Sequence, residues 1–145
     1  MKLSSSQSLA GILEPVFAMR TEEDLGIGDT EGVRQMIDWC ARHRLNILQT
    51  LPINELSDDN SPYNALSSLA IEPATIAISP QHIPDLTPVR FKELAGPELL
   101  AELRQGPVNY LAVKALKRKL LEAAFENFIE QHLSLIHISE PTRPY

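Results

Sequence analysis

Two short apolar runs with one amphipathic stretch between them constrain this chain most. Residues 11–18 read Gly-Ile-Leu-Glu-Pro-Val-Phe-Ala, and residues 46–53 read Asn-Ile-Leu-Gln-Thr-Leu-Pro-Ile. Each is short, apolar and marked by a proline, the pattern of a buried strand that is interrupted or ended there. Between them Val33, Met36, Ile37 and Cys40 recur at spacings of three and four. That spacing predicts one apolar stripe of a helix reaching about His43. Asp29 or Thr30 is the candidate N-cap, with Glu31 in the first turn where negative charge suits the helix dipole. Arg42, His43 and Arg44 put the opposite sign at the other end. Strand, helix and strand within about 45 residues make a βαβ unit, and such units build parallel sheets. The fold class read from this pattern is α/β.

The rest of the chain changes character twice. Residues 1–10 are polar and serine-rich, and residues 20–28 read as a polar loop with two glycines. Residues 54–88 carry many Asp, Asn, Ser and Pro residues around one apolar run at 75–78. This predicts a long functional loop or small excursion. Residues 89–103 predict a short helix broken at Gly96-Pro97. After Gly106-Pro107 a strong helix is expected over 108–132, with Val113, Leu116, Leu120, Ala124 and Phe128 in one stripe. Leu121, Phe125 and Ile129 widen it. Core packing is the reading for this stripe, ahead of a partner-binding or membrane face.

Composition excludes several function classes. The chain has 145 residues, about one domain's worth, and a formal net charge of -6. Nucleic-acid binding needs clustered Lys and Arg, so no nucleic-acid partner is expected. The single cysteine, Cys40, cannot form an internal disulfide and sits in an apolar helical pattern, so it reads as a small buried hydrophobe in a reducing compartment. No apolar targeting core and no run of about 18 apolar residues is visible. A cytoplasmic protein with no membrane partner is the expectation. The histidines, His43, His82, His132 and His137, show no metal-ligand spacing, so no metal and no cofactor are expected.

The densest polar constellation is Asp58-Asp59-Asn60-Ser61-Pro62-Tyr63-Asn64, just after the second expected strand. In parallel α/β architectures ligands gather at the C-terminal ends of strands. Asp, Asn and Ser hydrogen-bond hydroxyls, Pro62 stiffens the loop, and Tyr63 offers a flat apolar face with a polar tip. The same residues are the ordinary residues of a surface turn, and composition alone favours that reading. Asp58 and Asp59 are adjacent and point apart, so they do not form a pair flanking one glycosidic bond. Gly26-Ile27-Gly28-Asp29 lacks the third glycine of a dinucleotide fingerprint at its proper spacing.

An ordered series of segments is more specific. Gly11-Ile12-Leu13, Leu25-Gly26-Ile27-Gly28-Asp29, Gln49-Thr50-Leu51-Pro52-Ile53, Asn60-Ser61-Pro62-Tyr63 and Ser67-Ser68-Leu69-Ala70-Ile71-Glu72-Pro73 follow one another over about residues 11–80. Together they resemble the N-terminal region of the amylomaltase, or disproportionating-enzyme, family of 4-α-glucanotransferases. The resemblance implies an incomplete N-terminal portion of a (β/α)₈ TIM barrel with an inserted loop and helical subdomain. It implies an α-1,4-glucan or maltooligosaccharide substrate and transfer by retaining double displacement. Tyr63 matches the family tyrosine that stacks on the donor sugar beside the scissile bond, and Asn60, Ser61 and Pro62 lie in the element that positions it. The catalytic carboxylates of the family lie beyond this stretch, so no catalytic residue is assigned.

The sequence departs from the family in four places. Leu48 stands where the family carries Trp, and Asn54-Glu55-Leu56 where it carries Gly-Pro-Thr. Val16-Phe17-Ala18 replaces a Pro-Thr-Ser type segment, and Leu69-Ala70-Ile71-Glu72-Pro73 replaces Phe-Ala-Gly-Asn-Pro. These changes bear on acceptor preference and glucan length. Residues 133–145 resemble the in-frame translation of a transposon adapter. They are read as a non-native tail on a native segment of residues 1–132. A barrel needs about 250 residues, so the chain alone is expected to be inactive and poorly folded, with open sheet edges. The alternatives are a non-catalytic carbohydrate-binding protein and a small α/β interaction protein.

Overall fold

The computed structural model describes residues 9–136, with side-chain surroundings as far as residue 131. It begins with strand β1 (Gly11–Leu13), helix α1 (Thr30–Arg42) and strand β2 (Ile47–Gln49). The strands pair in parallel, Gly11 opposite Ile47 and Leu13 opposite Gln49. Asn46 N–H donates to Ala10 O at 2.8 Å and Glu14 N–H to Gln49 O at 2.9 Å, adding one bond at each end. Gly11 permits this approach, since a Cβ there would lie 2.5 Å from Ile47 O. The α/β reading therefore holds for this unit.

Helix α1 forms as its sequence signals require. Asp29 Oδ1 accepts from Glu31 N–H at 3.0 Å and Gly32 N–H at 3.2 Å, the work of an N-cap. The helix ends at His43, and Arg44 at φ 58° turns the chain out of helical geometry. Cys40 is buried and free.

Both strands are shorter than the apolar runs that contain them. After Leu13 the chain passes Pro15 into a 3-10 turn, Val16–Ala18, and pairing of β2 ends ahead of Pro52. Neither strand is buried as expected, because Leu13 is 53% and Ile47 42% exposed. Parallel sheets bury their strands when helices cover both faces. A single crossover helix leaves one face of this pair to water.

The core lies elsewhere. A 3-10 turn, Pro73–Thr75, and helices α2 (Pro88–Leu94), α3 (Pro97–Leu103) and α4 (Tyr110–Ile136) complete the described elements. Thr87 Oγ1 caps α2 by accepting from Arg90 N–H at 3.2 Å, and the Gly96-Pro97 break separates α2 from α3 as anticipated. Helix α4 starts at Tyr110 rather than residue 108 because Asn109 Oδ1 caps Ala112 N–H at 3.1 Å. It runs on to Ile136, past His132, and residues 137–145 of the suspected tail lie outside the described residues. Val113, Leu116, Leu120 and Ala124 are buried against Leu25, Ile27, Ala74, Ile78 and Leu103. The stripe is not all core, for Phe128 of the main repeat and Phe125 of the wider set are exposed.

Residues 20–28, read from sequence as a polar loop, contribute two of the most buried side chains, Leu25 and Ile27. Asp24 organises them. Its carboxylate accepts from Arg20 Nε at 2.7 Å, Thr21 N–H at 2.9 Å and Gly26 N–H at 2.8 Å. Burial pushes the Asp24 carboxyl up, but the Arg20 guanidinium and the two backbone donors outweigh it, so its pKa is lowered. Arg104 Nε donates to Asp24 O at 2.8 Å, tying this loop to the end of α3.

Candidate substrate-binding loop

The chain that leaves β2 folds back on itself before it reaches the helices. Asn54 bridges Ile71 and Leu56 bridges Ala65, both antiparallel. Leu66 N–H donates to Glu55 O at 2.8 Å and Glu55 N–H to Ala70 O at 2.9 Å. These bonds make a base from which residues 57–64 project.

The tip is held by its own side chains. Asp59 Oδ1 accepts from Ser61 N–H at 3.0 Å, and Asp59 Oδ2 accepts from Asn64 Nδ2 at 3.0 Å. The Ser61 N–H and the Asn64 amide hold the Asp59 carboxyl below its usual range. Its two oxygens thus serve the turn rather than acid–base chemistry. Asn60 takes φ 53°, a conformation Asn tolerates, and its N–H donates to Ser57 O at 3.0 Å. Tyr63 N–H reaches Ser61 Oγ at 3.4 Å. The Tyr63 side chain is 75% exposed, with its ring free to meet a ligand.

The four residues singled out from sequence take different positions. Pro62 lines a cavity of about 20 Å³ with Pro15 and Val16 after β1, Leu51 and Pro52 after β2, and Tyr110 of α4. The loop therefore packs at the C-terminal ends of both parallel strands. Asn60, Ser61 and Tyr63 stand outside that cavity, at the tip. Among the described residues no cluster of His, Cys, Asp or Glu is arranged to hold a metal ion, and no helix is long and apolar enough to cross a membrane.

The glycine motif before α1 has a packing role. Gly26 lies at φ 98°, and a Cβ there would lie 2.8 Å from Leu103 Cβ. At Gly28 a Cβ would meet Val16 O at 2.1 Å, and at Gly32 it would meet Met19 O at 2.1 Å. Gly28 and Gly32 seat the start of α1 against the chain that leaves β1, and Gly26 brings the loop against Leu103 and Val113.

Sequence reasoning missed the charges beneath the loop. Glu72 is 2% exposed. Its carboxylate accepts from Leu56 N–H at 2.9 Å and Ala74 N–H at 3.2 Å, and it pairs with Lys114 at 3.3 Å. Lys117, 1% exposed, donates from Nζ to Ala74 O and Ile76 O, each at 2.6 Å. Burial pulls the Lys117 pKa down to about 8 against the opposing pull of Asp29, Asp24 and Glu72. A signal was present, for Lys117 lies four residues after Val113 and three before Leu120, inside the apolar stripe.

A βαβ unit that carries an exposed aromatic loop at its strand ends defines the class: an α/β segment built on a parallel strand pair. The family model for 4-alpha-glucanotransferase matches residues 14–139, and the chain belongs to that family. The 4-alpha-glucanotransferase of Chlamydia trachomatis serovar D is 35% identical over 112 residues, covering 77% of this chain and 21% of that protein. That of Chlamydia caviae is 33% identical over 121 residues, 83% of this chain and 22% of its own. A rice protein, 4-alpha-glucanotransferase DPE2, is 30% identical over 122 residues, 81% of this chain and 13% of its own. The chain thus spans about a fifth of the length of the chlamydial relatives it matches.

Proposed function

We propose that this chain is the N-terminal part of a (β/α)₈-barrel 4-α-glucanotransferase, in which β1 and β2 are the first two barrel strands. Its substrate is an α-1,4-glucan or maltooligosaccharide, and the acceptor is glucose or another maltooligosaccharide. Tyr63 stacks on the donor sugar, and Asn60, Ser61 and Pro62 set its position. The observation that carries this reading is the exposed Tyr63 ring on a loop whose Pro62 packs beside the ends of both strands. A tyrosine ring suits the C–H face of a pyranose, and the loop's amide and hydroxyl groups suit its hydroxyls.

Transfer by double displacement follows from this assignment. A carboxylate attacks the anomeric carbon while a carboxylic acid protonates the leaving oxygen. A sugar hydroxyl then opens the glycosyl-enzyme. Both acids belong to the part of the enzyme beyond this chain, so the chain alone is without transfer activity. A cytoplasmic location belongs to the same proposal. The division at residue 132, with residues 133–145 non-native, belongs to the same proposal. The sequence of the parent gene across the codons flanking His132 tests it: a frame that departs from this chain there supports it, and an identical frame refutes it.

In the gene product that contains this chain, Tyr63→Ala weakens donor stacking by about 1 kcal/mol, a several-fold loss in kcat/KM on maltotriose. Tyr63→Phe keeps the ring and most of the activity. Steady-state kinetics of the two variants decide the matter, and unchanged kinetics for Tyr63→Ala would remove Tyr63 from the donor site.

A further inference from the structure

The Tyr63 loop is closed at its tip by its own side chains, but its base is held by charges from another part of the chain. We infer that Glu72 is a positioning residue for this loop, fixed from α4 by Lys114 and Lys117. The inference rests on the reading of Tyr63 as a donor-site residue.

The geometry is specific. Glu72 Oε2 accepts from Leu56 N–H at 2.9 Å, a contact 16 residues back along the chain and immediately before the projecting tip at residues 57–64. Glu72 N–H donates to Ile53 O at 3.0 Å, so one residue grips the chain both at the exit of β2 and at the root of the tip. The other oxygen, Oε1, accepts from Ala74 N–H at 3.2 Å and pairs with Lys114 Nζ at 3.3 Å. Lys117 grips the same segment just beyond Glu72, through Ala74 O and Ile76 O. Helix α4 is anchored in the core by Val113, Leu116 and Leu120, so it provides a rigid frame for both lysines.

A buried carboxylate with three donors has little freedom to rotate, and the atoms bonded to it inherit that restriction. Leu56 N–H is one of those atoms, and Leu56 itself is buried. Ser57 N–H, one residue on, donates to Asn64 O at 3.1 Å, beside Tyr63. The path from α4 to the stacking ring therefore runs through Lys114, Glu72, Leu56 and the Ser57–Asn64 closure. A loop that keeps its shape before substrate arrives binds sugar without a further ordering cost.

The test is a double-mutant cycle in the full-length enzyme on maltotriose. Glu72→Ala is expected to raise KM, with a several-fold loss in kcat/KM no larger than that of Tyr63→Ala and little change in kcat, the pattern of lost ground-state positioning. Glu72→Gln keeps an acceptor for Leu56 N–H and recovers most of the loss. Lys114→Ala loosens Glu72 from a half-exposed position and gives a smaller loss in the same direction. The double variant Tyr63→Ala/Glu72→Ala is expected to be no worse than the weaker single variant, because both act through one ring. Losses that multiply, or a Glu72→Gln as poor as Glu72→Ala, would overturn the positioning role while leaving the donor-site reading standing. Tyr63→Ala with unchanged kinetics would remove that reading, and the inference with it. If Glu72→Ala does not fold, Glu72→Gln and Lys114→Ala paired with Tyr63→Ala carry the same comparison.

Discussion

In the full-length gene product Lys117→Ala lowers the unfolding free energy by about 3–5 kcal/mol, the range for removing one member of a buried charged network. The ammonium group is 1% exposed and donates to two carbonyls, Ala74 O and Ile76 O, at 2.6 Å. Removal leaves both carbonyls without this donor, and it takes away a positive charge that Asp29, Asp24 and Glu72 favour. Lys117→Met fills the space but supplies no donor, so it recovers only part of the loss. Chemical unfolding of the three proteins measures the difference, and a loss below about 1 kcal/mol would place Lys117 among ordinary surface charges.

The same lysine gives stability a pH dependence of known sign. Burial holds its folded pKa at about 8, below the ordinary lysine value of 10.5. Between these values the unfolded chain binds more protons than the folded one, so stability rises with pH across that window. Below pH 8 the cost of burying the charged form is present in full. Wild type should therefore gain stability relative to Lys117→Met as the pH is raised through this range.

Gly28→Ala should be the most damaging of the single-methyl additions. A Cβ at that position would lie 2.1 Å from Val16 O, 2.7 Å from Met19 N and 2.8 Å from Met19 C, all of them backbone atoms. No side chain can swing aside, so the chain leaving β1 must shift away from the start of α1. Overpacking of this kind costs about 1–3 kcal/mol, or more where backbone must move. Gly96→Ala is the control, since its nearest contact would be Lys92 O at 3.8 Å. Equal unfolding midpoints for the two variants would contradict the packing described for Gly28.

How legible each part was depends on how local its causes are. Helix α1 could be read because its cap, its stripe and its basic end all lie within one stretch, and Asp29 caps it as expected. The order of strand, helix and strand was legible for the same reason. Burial of the strands was not, because burial depends on what covers Leu13 and Ile47 and not on their own sequence. Leu25 and Ile27 were hidden in a glycine-containing loop too short to show a period. The candidate loop could be located from Ser61, Pro62 and Tyr63, but its support could not. Glu72 and Lys114 meet across 42 positions of sequence, and no local pattern announces such a pair.

The proposed function is glucan transfer with the donor sugar resting on Tyr63. Incubating the full-length gene product with maltotriose alone, and separating the products by length, tests it most directly. The account predicts glucose together with maltooligosaccharides longer than the substrate, formed at a rate that falls on Tyr63→Ala. Maltotriose left intact, or cut to shorter sugars with no longer product, would contradict it.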